Sequence, residues 1–141
     1  MFNHLRKTCK NRLAGFLRLV LGLIFFMAGI LKLVVPTLGE AFSGQLIAAR
    51  IPLYEAGLYA VPVIEMVLGV MLLFGLHTRI SAVIAAVIMV VATYVHIVAN
   101  DPSLFPLQPV EPIGPVVLLV MLAYVIWKGG GSWSIDLRET H

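Results

Sequence analysis

The chain has 141 residues, 60% of them hydrophobic and 12% charged, with a mean hydropathy of +1.00; this balance excludes an ordinary soluble globular domain and points to a membrane protein. A formal charge of +3 and a pI near 9.3 do not indicate a nucleic-acid partner, because the basic residues are few and stand at the ends of apolar runs rather than in a soluble patch. The single cysteine, Cys9, excludes an intramolecular disulfide, a C-x-x-C redox pair and a thiolate metal cluster.

Four apolar segments are predicted to be helices, over about residues 13–35, 54–76, 80–99 and 113–127, each able to cross about 30 Å of hydrocarbon, the last being the shortest. Residues 1–141 are read as one all-α domain, an integral membrane four-helix bundle of up-and-down order lying in the lipid bilayer. Eight of the ten Lys and Arg residues fall on one side: Arg6, Lys7, Lys10, Arg12, Arg18, Arg79, Lys128 and Arg138. Only Lys32 and Arg50 are assigned to the other, so the excess of positive charge puts both termini in the cytoplasm.

The basic N-terminus and the apolar run after it resemble a secretory signal, with "AFSG" at 41–44 as a loose cleavage site. The run is too long for one, contains Lys32 and precedes three further spans, so it is read as an uncleaved first helix. Gly15, Gly22 and Gly29 recur every seven residues on it and form one stripe on which another helix can pack closely in lipid. The following stretch, "PTLGEAFSGQLIAARIP", is mildly amphipathic and suits a short helix on the outer face of the membrane.

The second segment carries Glu65 on one face with Leu58, Pro62, Gly69 and Leu72; Pro62 deprives the Leu58 carbonyl of its usual donor and predicts a kink above the carboxylate. On the third, Ser81, Ala85, Ala92, His96 and Ala99 share a small-residue face, with Thr93 about one turn below His96. The Pro-rich stretch "NDPSLFPLQPVEPIGP" admits no regular helix and is read either as a cap on the bundle mouth or as a stiff interfacial linker. Tyr124 and Trp127 fit an inner aromatic belt, and the tail "KGGGSWSID" is read as a flexible cytoplasmic end.

Glu65 sets the main physical problem, because an ionised carboxylate at mid-bilayer costs about 2.5 to 3.5 kcal/mol even on lenient scales. From the rise per residue it lies roughly 13 to 18 Å below the outer surface, against about 5 to 6 Å for Lys32 and His96. Contact therefore requires an inward-reaching lysine, helix tilt or a bridging water. The expectation is a polar cluster of Glu65, Lys32 and His96, with Thr93 beside it, in the outer half of the bundle. The alternative makes Glu65 a protonated hydrogen-bonder between helices, with Lys32 and His96 as interfacial anchors. No His, Asp and Glu set has metal-ligand spacing, no nucleophile stands beside a base, and His77 and His96 lie at opposite ends, which argues against a bis-histidine haem.

In order, Arg18 and Gly22, "GILKL" with Gly29 and Lys32, "EMVLGVMLLFGLHTR" with Glu65, Gly69, Leu72, Leu73, Gly75, Thr78 and Arg79, and the ending at Gly129, Gly131, Ser134 and Asp136 resemble the DoxX family of small four-helix bacterial membrane proteins over about Leu17 to Asp136. Ile51 before Pro52 departs from the glycine common there. The resemblance implies residence in the bacterial cytoplasmic (inner) membrane and a link to redox metabolism. Its members include a quinone-reducing thiosulfate oxidoreductase subunit and a membrane component that works with superoxide dismutase and a sulfurtransferase.

On that basis three functions stand open. In the first, the chain is a quinone-facing or accessory subunit of a membrane oxidoreductase, with Lys32 and His96, and Thr93 near them, binding a quinone while Glu65 passes a proton. Electrons then come from a redox-protein partner. In the second, the chain transports protons or a small solute, for which four short helices leave little room unless it forms a homo-oligomer. In the third it is a scaffold or assembly factor whose polar cluster fixes helix register.

Overall fold

Asn11 opens the first helix: its Oδ1 accepts hydrogen bonds from the amides of Leu13 and Ala14 at 2.8 and 3.1 Å, satisfying two of the donors that a helix start leaves free. In the computed structural model, which describes residues 8–99 and 112–139, the elements are α1 (Arg12–Val34), α2 (Pro36–Ala48), α3 (Tyr54–Phe74), α4 (Thr78–Ala99), α5 (Ile113–Lys128) and α6 (Ile135–Glu139). Among the described residues there is no strand. α1, α3 and α4 are long and apolar enough to cross a membrane, and α5, at 16 residues, is shorter, reaching about 24 Å by helical rise.

The boundaries follow local chemistry. Pro36 occupies the first turn of α2, where a missing N–H costs nothing. α3 ends at Gly75, whose φ of 68° lets the Leu76 amide bond back to the Met71 carbonyl at 2.9 Å, closing a Schellman turn. α2 forms where a short amphipathic helix was expected, and its Leu46 and the Ala49 that caps it pack with Val95 of α4. The Pro-rich stretch expected to cap the bundle or link its helices lies mostly outside the described residues.

α1 packs most extensively on α3, and α4 on α5; α1 also meets α5, and α3 meets α4. The α1–α3 seam is glycine-made: a Cβ on Gly69 would stand 2.5 Å from the Phe26 amide, and one on Gly22 2.9 Å from the Gly69 carbonyl, so only hydrogens fit between the two backbones. Leu21, Phe25, Leu68, Leu72, Ala85, Met89 and Leu122 fill the interior. Outward, α4 exposes Val83, Val87, Val90, Val91, Tyr94 and Ile97, an apolar exterior suited to acyl chains. α1 begins, α3 ends, α4 begins and α5 ends at the same end of the molecule, where the Cys9 amide reaches the Lys128 carbonyl and Asp136 reaches Thr78.

Candidate functional site

Two buried polar assemblies occupy opposite ends of the α1–α3 pair. At the end where α1 begins and α5 ends, Arg18 is fully buried. Its guanidinium donates to the carbonyls of Gly130 (2.9 Å), Leu73 (2.6 Å) and Leu72, with a longer bond to Ser132 (3.5 Å). The Asp136 carboxylate accepts from the amides of His77 (2.9 Å) and Thr78 (2.7 Å), and so caps the start of α4 with a negative charge from a remote segment. Ser134 Oγ accepts from the Leu137 amide, and the positive φ of Gly129 and Gly131 bends the chain under α1. The reading of "KGGGSWSID" as a flexible end is therefore corrected: its glycines make tight turns, its carbonyls hold α1 through Arg18, its carboxylate caps α4, and the Asp136 amide bonds the Gly75 carbonyl at the end of α3.

At the other end, Lys32 donates to both oxygens of Glu65, at 2.7 and 2.8 Å. Glu65 is only 2% exposed and Lys32 25%, so the carboxylate is removed from solvent while the lysine stem follows an apolar wall. Lys32 lies in the last turn of α1, where the helix dipole favours a cation. Its ammonium also stands 4.8 Å from the centre of the Phe42 ring of α2, within cation–π range.

A cavity of about 660 Å³ opens beside this pair, walled by α1 to α5. Its lining is mostly aliphatic, and Lys32, Glu65, Gln45 and His96 are its conspicuous polar members. His96 is buried, and its Nδ1 lies 2.8 Å from the Ala92 carbonyl. A carbonyl only accepts, so Nδ1 carries a hydrogen in this arrangement. Lys32, Glu65 and His96 thus share one cavity. Thr93 does not line it; its hydroxyl donates to the Met89 carbonyl of its own helix at 2.8 Å. Among the described residues, no group of three or more His, Cys, Asp or Glu is arranged for a metal ion.

Sequence reasoning missed Phe42 and Gln45, which share a face of α2 at i, i+3 spacing and complete the cavity wall. It also counted Arg18 as a charge at the inner end. Its position six residues into an apolar helix was the available sign that the guanidinium needs internal partners.

Among the described residues, three long apolar helices and a shorter fourth, with an ion pair between two of them, define a multi-pass membrane protein. The family model for DoxX matches residues 13–97, more than half of the chain and the stretch containing Arg18, Lys32, Glu65 and His96. The chain belongs to the DoxX family. No curated protein and no solved structure matches it.

Proposed function

We propose that this protein is a quinone-facing or accessory subunit of a membrane oxidoreductase system, working in the bacterial cytoplasmic membrane as a single-domain, up-and-down four-helix bundle. The observation that carries this reading is the Lys32–Glu65 ion pair in the wall of an apolar cavity that also contains His96. Arg12, Arg18, Arg79 and Lys128 lie on the elements gathered at one end, while Lys32 and Arg50 lie towards the other. That distribution supports cytoplasmic termini.

The cavity volume and its aliphatic walls suit a ring with an apolar tail, and its polar groups suit the ring's oxygens. A bound quinone supplies redox chemistry by taking up two electrons and two protons to become a quinol. Lys32 donates a hydrogen bond to a carbonyl oxygen and fixes the ring at the carboxylate. Glu65, held out of water, binds or releases a proton at its Oε atoms. His96, held by the contact of its Nδ1 with the Ala92 carbonyl, adds an imidazole to the cavity wall. The electrons come from a redox-protein partner.

A second reading is a non-catalytic scaffold, favoured by the two-point contact of Lys32 with Glu65, which by itself fixes the register of α1 on α3. Mass spectrometry of gently solubilised wild-type protein and the Glu65→Gln variant separates the two. Quinone co-purifying with wild type and depleted from the variant supports the redox reading; a protein partner retained equally by both, with no quinone in either, sinks it in favour of the scaffold.

A further inference from the structure

The cavity has an asymmetric enclosure. α2 roofs it with Leu38, Phe42 and Leu46, across the route from the aqueous phase beyond α1 and α4. Sideways it is less closed, as side chains that are wall and exterior at once show. Met27 and Leu31 of α1 and Val87 and Val91 of α4 all line the cavity, yet are 42%, 38%, 60% and 44% exposed on the outside of the molecule. A side chain that belongs to both a cavity wall and the exterior marks the rim of an opening. Met27 and Val91 lie about 10 to 12 Å below the outer ends of their helices by helical rise, a depth at which the surroundings are acyl chains.

The polar groups behind this rim limit what can enter. Lys32 and Glu65 cancel one another's charge, so a charged headgroup gains no net attraction and has to compete with a two-point ion pair. A lysine ammonium has three N–H donors. Two are engaged by Glu65, which leaves one for a neutral acceptor without breaking the pair.

We infer that the site draws its ligand from the bilayer, head first through the opening between α1 and α4, and that it selects an uncharged, tail-bearing molecule with a carbonyl at its head. This rests on the quinone reading above and specifies its ligand and route: the head lies at Lys32 and Glu65, while the tail passes Met27 and Val91 and stays in lipid.

The test uses full-length protein in lipid nanodiscs and three probes: a benzoquinone with a decyl tail, the same ring without a tail, and a carboxylate with a tail of equal length. Val91→Trp and Met27→Trp narrow the rim from opposite sides, and Val90→Trp places the same bulk on exposed α4 surface away from the cavity. The expected result is that the ratio of tailed to tail-less quinone affinity falls at least tenfold in the two rim variants and not in Val90→Trp, with the carboxylate binding wild type at least tenfold more weakly than the tailed quinone. An unchanged ratio in both rim variants overturns the lateral route, and a carboxylate bound as tightly as the quinone overturns the selection for neutral heads. Either outcome leaves the quinone reading standing. If wild type binds neither quinone, that reading falls and the inference falls with it.

Discussion

Arg18 and Lys32 are cations on the same helix, four turns apart, and both are held by α3, yet their surroundings differ in kind. The Arg18 guanidinium is fully buried and surrounded by backbone carbonyls from α3 and the tail, and a Cβ on Gly75 would come within 3.2 Å of its central carbon. Lys32 shares one partner at two points and borders about 660 Å³ of cavity. A charge in an apolar helix is therefore not one signal. Where donors are matched by fixed acceptors and the space is filled, the charge joins segments of the fold; where a donor and adjoining space remain, it can receive a ligand.

The widest separation between the two regions is expected from Arg18→Met. It removes a cation but leaves the carbonyls of Leu73, Gly130 and Ser132 buried without their donor, at about 3 kcal/mol or more. The variant should fail to give a monodisperse species in detergent, and should bind no quinone for that reason alone. A folded, thermally normal Arg18→Met protein would show that the Arg18 assembly is not what holds the tail.

The outer pair calls for a double-mutant cycle. Glu65→Leu strands the ammonium of Lys32, and because that lysine is a quarter exposed and can turn outward, the loss should be about 2 kcal/mol rather than the larger figure for a fully buried charge. Lys32→Met combined with Glu65→Leu should recover most of it, since an apolar pair of similar volume fills the same space. Quinone binding should be absent from both variants. Recovery of stability together with retained quinone binding would reduce the pair to a contact between helices. Asp136→Asn, at the Arg18 end, should act in the opposite sense: a neutral cap on the His77 and Thr78 amides lowers stability by about 1 kcal/mol, with quinone affinity within twofold of wild type.

The sequence made the outer pair legible because lipid leaves a carboxylate few choices. Glu65 had to be paired, protonated or wet, and the mismatch in depth with Lys32 left an inward-reaching lysine, helix tilt or a bridging water; the two side chains meet directly, at 2.7 Å. The Arg18 assembly was far less legible. Arg18 is bound by carbonyls, which every residue possesses and no side-chain pattern reveals, and some of them lie more than a hundred residues away. The tail looked flexible because glycine permits many conformations, but at Gly129 and Gly131 that freedom serves turns of positive φ that hold the chain against α1. α2 was legible as a helix, whereas its role as a cavity wall depended on how it folds back over α4.

Thr93 gives the smallest expected effect and the finest distinction. Helical spacing puts it near His96, and a polar residue one turn from a candidate ligand-binding histidine invites a role in the site. A threonine within a helix has a nearer acceptor, the carbonyl four residues back, and Thr93 uses it at 2.8 Å. Valine preserves the shape and removes only that bond, leaving a carbonyl that already accepts a hydrogen bond from its own helix, so Thr93→Val should change thermal stability by less than about 0.5 kcal/mol and leave quinone affinity within twofold. His96→Leu in the same assay removes a polar cavity residue of similar size and should lower affinity at least fivefold. If the two substitutions act alike, proximity along α4 rather than a position in the cavity wall decides which side chains matter, and the site must be extended below His96.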